Sequence, residues 1–186
     1  LFGNGIAGGF VFDDRSVITG NPMVENISGV VKTFVNPYHF ARPQSGLYRP
    51  LTFASYTINW QFSKNPASFH FVNILLHGII GYIIFLIVLS LKNKITAVVS
   101  SILFLFLPIH VEAVTSIVGR TESLSVLFFL LALYTSLKER YAVSSFLFLL
   151  ALFSKETSVA LIPVFLFLEF FWKKKSAVAI VKNLLF

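Results

Sequence analysis

Two adjacent carboxylates, Asp13 and Asp14, follow the apolar run Phe10-Val11-Phe12. Beside such an anchor, a like-charged neighbour and partial desolvation both raise the pKa of one member, which suits a general base acting on a hydroxyl. The alternative is a turn in which one Asp caps a helix. A second constellation is Pro108-Ile109-His110-Val111-Glu112 followed by Gly119-Arg120-Thr121-Glu122, four ionisable groups in one short connector between apolar stretches. Charges at a membrane edge are costly unless they pair with each other or with a ligand. An Arg fork suits a phosphate bidentately, and a His adds a hydrogen bond or a proton. The structural alternative is a Glu112–Arg120 or Arg120–Glu122 ion pair that fixes the connector.

Lys155-Glu156 opens a later apolar stretch, where the cation can meet a lipid phosphate or the two charges can simply end a helix. His70, Asn73 and His77 share one helical face. Two His seven positions apart do not chelate unaided and no carboxylate shares their helix, so a polar packing stripe is expected rather than a metal site. Glu169, beside Trp172 and the lysines, reads as interfacial.

The elements that must position these groups follow from composition. Of 186 residues 56% are hydrophobic and only 12% charged, with a mean hydropathy of +0.80. That exceeds the balance of a soluble domain and makes a bilayer the natural solvent. A net charge of +7 would suggest nucleic acid in a soluble protein. Here many cations sit at junctions between apolar blocks, so they report orientation and no nucleic-acid partner is expected. Without Cys there is no disulfide framework and no thiolate metal site.

The expected fold is all-α, a polytopic helical membrane bundle with about five spans. The spans fall near 67–91, 95–107, 123–137, 141–153 and 157–172, several of them short, with Ile109 to Glu122 as a polar connector. Residues 1–66 hold no apolar run of spanning length and read as a long extracytoplasmic loop carrying juxtamembrane helices. Within it, Leu51 to Phe62 mixes apolar and amide or hydroxyl side chains, as an interfacial helix does. Residues 67–186 form the transmembrane bundle. Beginning at Leu1 without an initiator Met and ending at Phe186 just after a new apolar-basic stretch, the chain reads as a piece, incomplete at both ends.

Counting Lys and Arg at the span ends assigns Lys92-Asn93-Lys94, Lys138-Glu139-Arg140 and Lys173-Lys174-Lys175 to the cytoplasmic side. Asp13, Asp14, Arg49, His110, Glu112, Arg120, Glu122, Lys155 and Glu156 then share the extracytoplasmic side. Cation clusters mark one face and mixed acid–base chemistry the other.

In order along the chain stand Phe12-Asp13-Asp14, Tyr48-Arg49-Pro50-Leu51, Phe69-His70-Phe71-Val72-Asn73 with Leu76-His77, Pro108-Ile109-His110 with Glu112-Ala113-Val114, Gly119-Arg120-Thr121-Glu122 and Ser154-Lys155-Glu156. This series resembles the membrane part of the transmembrane, tetratricopeptide-repeat-containing O-mannosyltransferases and their prokaryotic relatives, within the GT-C superfamily of glycosyltransferases. The resemblance implies an enzyme that moves a sugar, often mannose, from a polyprenyl- or dolichyl-phosphate donor. The acceptor would be a hydroxyl of an exported protein, at Ser or Thr, or of another glycan or lipid.

Carried onto this chain, it makes Asp13 the catalytic base and Asp14 its partner. Arg49, His110, Arg120 and Lys155 become candidates for the donor phosphate, with Glu112, Glu122 and Glu156 beside them. The reaction would invert the sugar carbon and needs no metal or other cofactor, since the lipid-phosphate sugar is itself the substrate. The family's first span, before the acidic loop, and its tetratricopeptide repeats have no counterpart in these residues, so this piece alone is expected to be inactive. The protein is expected in a bacterial or archaeal plasma membrane, or in the endoplasmic reticulum membrane if eukaryotic, with membrane lipid around it. Two rival readings stand: a transporter or flippase for polyprenyl-linked substrates, whose polar groups lie near mid-bilayer, and a non-catalytic membrane assembly protein.

Overall fold

A computed structural model of the chain describes residues 2–38, 46–168 and 170. Among them the regular structure is helical throughout. The first thirty-odd residues run as short helical turns, including a π-helical turn at Arg15–Thr19 and the single-turn helix α1, Gly29–Lys32. α2 spans Pro50–Phe62 with its proline in the first turn, where a missing N–H costs nothing. α3, Pro66–Leu91, likewise starts on a proline, and the Asn65 side chain accepts from the Ala67 N–H as its N-cap. Asn93 caps α4, Lys94–Phe106, by accepting from the Thr96 N–H at 2.9 Å.

Leu107 is extended, as the residue before Pro108 must be. The expected polar connector is then largely helical. A 3₁₀ turn at Pro108–His110 leads into α5, Val111–Thr115, and α6, Arg120–Leu137, begins at Arg120 rather than at Ser123. α6 turns back into α7, Tyr141–Ser154, through Glu139, whose φ of 61° lets the chain reverse.

The expected fifth span is replaced, as far as it is described, by a 3₁₀ turn at Glu156–Leu161 and the short α8, Ile162–Phe167. Pro163 explains the break, since a proline is tolerated in the first turn of a helix and not in its interior. Glu169, Trp172 and Lys173 to Lys175 lie outside the described residues.

The described residues therefore do not bear out five uninterrupted membrane-length helices. Among the described residues α3 alone is long and apolar enough to cross a membrane, and α4 with the Pro108–Thr115 segment passes the same test as a pair bent by 51°. α7, with 14 residues, reaches roughly 21 Å at 1.5 Å per residue, short of a hydrocarbon core of about 30 Å.

α3 packs against both α4 and α6, and α6 against α7. Two apolar clusters result. One joins Ile80, Ile83 and Ile87 of α3 to Leu127 and Leu133 of α6. The other gathers Val17, Ile18, Val24, Tyr38, Phe53, Tyr56, Phe69 and Ile117, fastening the N-terminal turns onto α2 and the start of α3. Small and hydroxyl side chains seam the helices together. Gly81 lets α4 come so close that an added Cβ would lie 2.6 Å from Leu105. Ser125 and Ser158 share a 2.6 Å hydrogen bond, and Thr52 donates to the Ser154 carbonyl at 2.9 Å.

Candidate functional site

Phe10 packs edge-on against Phe69 and beside Trp60, which fixes the chain just before the acidic pair. Phe12 does not join that anchor. It is 94% exposed and adopts a left-handed φ of 44°, a conformation that costs a bulky residue on the order of 1–3 kcal/mol. Beyond this twist the two aspartates part company. Asp14 is buried, and its carboxylate accepts from the Val11 N–H and, across the fold, from the Val118 N–H, each at 3.0 Å. Burial pushes the Asp14 carboxyl above its ordinary pKa, against the pull of those two bonds and of His70. Asp13 is exposed and faces a cavity of about 420 Å³.

The rest of that cavity wall comes from distant parts of the chain: Tyr38, Leu47 and Arg49, then Ile109, Glu112, Ala113 and Ser116, then Val118, Gly119, Thr121 and Glu122. Of the nine site residues expected from sequence, Asp13, Arg49, Glu112 and Glu122 therefore meet here. Pro50 holds Arg49 out of the helical region at the N-cap of α2. Its guanidinium stacks over the Tyr38 ring at 5.2 Å and forks onto Glu156, with Nε to Oε2 at 2.9 Å and Nη2 to Oε1 at 2.5 Å. The Glu156 carboxylate holds Arg49 above its ordinary pKa, and burial pushes the Tyr38 phenol up to about 12, so it keeps its proton. Lys155, next in sequence to Glu156, pairs with Glu122. The Lys155-Glu156 dipeptide thus stands behind the wall and pairs with one wall group of each sign.

His110 and Arg120 are elsewhere. His110 packs against Phe104 and His77 with ring centroids 4.3 and 5.4 Å apart. Arg120 is only 1% exposed and turns into the junction of α2, α3 and α6. Its Nε donates to Asn73 Oδ1 at 2.9 Å, Nη2 to Asn59 Oδ1 at 2.9 Å and to the Phe69 carbonyl at 3.0 Å, and Nη1 to the Ser55 carbonyl at 3.3 Å. Its Cζ also lies 4.9 Å from the Tyr56 ring centroid and 5.3 Å from that of Phe69. Neither expected Arg120 ion pair forms. Asn73 also donates to the Ser116 carbonyl at 2.8 Å, so the polar stripe on α3 secures the floor of the cavity. Sequence reasoning passed over Asn59, whose only advance signal is an amide among the apolar side chains of its helix, and Tyr38, which its neighbours in the chain do not single out. Among the described residues no three His, Asp or Glu side chains gather as a metal site requires.

The described residues thus define a class no finer than a helical protein with one apolar helix of membrane length and an acid-rich cavity walled by one forked arginine. Its relatives narrow the class. Human protein O-mannosyl-transferase TMTC3 is 40% identical over 137 residues, 69% of this chain and 15% of the relative. The Drosophila melanogaster protein O-mannosyl-transferase Tmtc1 is 30% identical over 139 residues, 71% of this chain and 16% of the relative, and mouse TMTC4 30% over 151 residues, 70% and 20%. The family resemblance read from the motifs is therefore borne out: over this stretch the chain is a homologue of the TMTC protein O-mannosyl-transferases. It spans between 15% and 20% of their length. No family model and no solved structure matches the chain.

Proposed function

We propose that this chain carries part of the reaction edge of a membrane O-mannosyltransferase, with the cavity beside Asp13 as the place where donor and acceptor meet. The observation that carries the reading is the split between the aspartates: Asp14 is tied to two backbone N–H groups, while Asp13 lines the cavity that Arg49 and Glu112 also line. In this reading Asp13 takes the proton of an acceptor hydroxyl, at Ser or Thr of an exported protein. The oxygen attacks the anomeric carbon of mannose with inversion, and the bond from that carbon to the phosphate oxygen breaks. A polyprenyl or dolichyl phosphate leaves, and Arg49 meets the charge it gains. The cation-rich connectors at Lys92–Lys94 and Lys138–Arg140 face the cytoplasm, and the cavity faces the opposite side. The apolar helices beyond α3 cross the bilayer in company with one another, which relieves the length demanded of each.

Asp13→Asn in the intact protein is the test. Transfer of labelled mannose from a dolichyl-phosphate donor should fall about a hundredfold or more while donor binding and folding persist. Asp14→Asn should instead lower thermal stability. Near-parental turnover in Asp13→Asn would remove Asp13 from the chemistry.

A further inference from the structure

The cavity wall carries three carboxylates, Asp13, Glu112 and Glu122, against one cation, Arg49. Such a wall repels a phosphate unless the arginine is free to meet it. Yet Arg49 is engaged from behind by Glu156, which does not line the cavity. That carboxylate makes the same two-pronged contact a phosphate would make, and it belongs to an exposed side chain. Only two of the five guanidinium N–H groups are used, and the others have no hydrogen-bond partner among the described residues. The neighbouring Lys155–Glu122 pair anchors the same dipeptide to α6, so Glu156 can swing without releasing the turn that carries it.

We infer that Glu156 is an exchangeable counter-anion for Arg49, displaced by the phosphate of the lipid-linked substrate and returning as that phosphate leaves. This rests on the reading of the cavity as the donor site and adds to it a positioning residue that sets phosphate affinity. The sugar donor is a phosphodiester with one negative charge, whereas the product monophosphate carries about 1.5 to 2 at neutral pH. The product would therefore cling to Arg49 more tightly than the donor. Glu156 competes with it at an effective concentration fixed by the fold, and so speeds its departure.

The test is binding of polyprenyl monophosphate, and in a second arm of inorganic phosphate, to the intact protein in lipid nanodiscs. Glu156→Gln should bind both about five- to tenfold more tightly than the parent, as expected when the competent state rises from a minor to the major population. The double variant Arg49→Gln/Glu156→Gln should lose that gain. If Glu156→Gln does not fold, Glu156→Asp, which keeps the charge but shortens the reach, should still tighten binding a few-fold. Equal or weaker affinity in a folded Glu156 variant overturns the exchange and leaves the donor-site reading standing. Tightening for the lipid alone overturns it too, because the phosphate would not be the competing group. A parent that binds neither phosphate removes the donor-site reading and the exchange together.

Discussion

Arg120 and Arg49 both come from short motifs flanked by apolar sequence, and the fold treats them in opposite ways. Arg120 is sealed between α2, α3 and α6, where side-chain amides and backbone carbonyls satisfy it and no carboxylate balances it. Arg49 stands on a cavity wall, held by one exposed carboxylate. The adjacent aspartates repeat the contrast, with Asp14 bound by backbone N–H groups and Asp13 left to the cavity. Groups satisfied by the backbone are locked, because the backbone cannot leave. Groups satisfied by mobile side chains, or by nothing, remain able to exchange partners or protons. The region beneath the cavity is a frame, and its wall is the part that can act.

Crossing the two arginines breaks or sharpens this comparison with the largest effect. Arg120→Lys keeps the charge but offers a single donor point to acceptors spread over α2 and α3, leaving buried oxygens unpaired. At about 1–3 kcal/mol for each, the loss should total at least about 3 kcal/mol of stability, while phosphate affinity of the folded fraction stays at the parental level. Arg49→Lys should do the reverse, leaving the unfolding midpoint nearly unchanged and weakening phosphate binding through loss of the fork. Denaturation and lipid-phosphate binding measured on the same two variants decide the matter. A parental midpoint for Arg120→Lys combined with weakened binding would move Arg120 into the site.

Gly119 offers a smaller test of the frame. It lines the cavity at the foot of α6, and a Cβ there would lie 2.5 Å from the Ala113 carbonyl oxygen and 2.8 Å from its carbon. Backbone cannot rotate away as a side-chain tip can, so Gly119→Ala should push α5 from α6 at a cost of about 1–3 kcal/mol. Turnover should fall with it, since Glu112 and Glu122 stand on the two parts being separated. Unaltered thermal stability would mean that the junction is looser than its geometry states.

The helices were legible because their ends are written locally. Pro66, Asn93, Pro108 and the Lys138-Glu139-Arg140 turn lie close to where the expected apolar stretches begin or stop. The break at Pro163 was legible too, but the expectation of a span ran over it. Four cavity residues were visible as charges at apolar borders. Their partners were not, because Arg49 and Glu156 are 107 positions apart and Glu122 and Lys155 are 33 apart, and no periodicity links them. Arg120 was read as a phosphate ligand because its type suits one. What decides its direction is Asn59 and Asn73, 61 and 47 positions earlier, which had no local reason to stand out as its acceptors. Which aspartate turns inward depends on the left-handed backbone at Phe12, which an unremarkable Phe does not announce.

The smallest effect is a pH dependence of stability that belongs to Asp14 and is read without measuring activity. Burial raises the Asp14 carboxyl above its ordinary value, with the negative charge of Asp13 adding a little and the two N–H bonds and His70 opposing. A carboxyl whose folded pKa is raised binds its proton more tightly in the folded state. Its contribution to stability is therefore fully present below the unfolded value, near 3.9, and is lost as pH rises through the folded value. Between those two values each pH interval of one removes about 1.4 kcal/mol. Asp14→Asn has no proton to lose, so the parent-minus-variant difference in unfolding free energy should fall as pH rises from acid, then level off once Asp14 is ionised. A profile that Asp14→Asn does not flatten would show that the N–H bonds outweigh burial, and the contrast between a locked Asp14 and an available Asp13 would then rest on their geometry and not on the cost of charging Asp14.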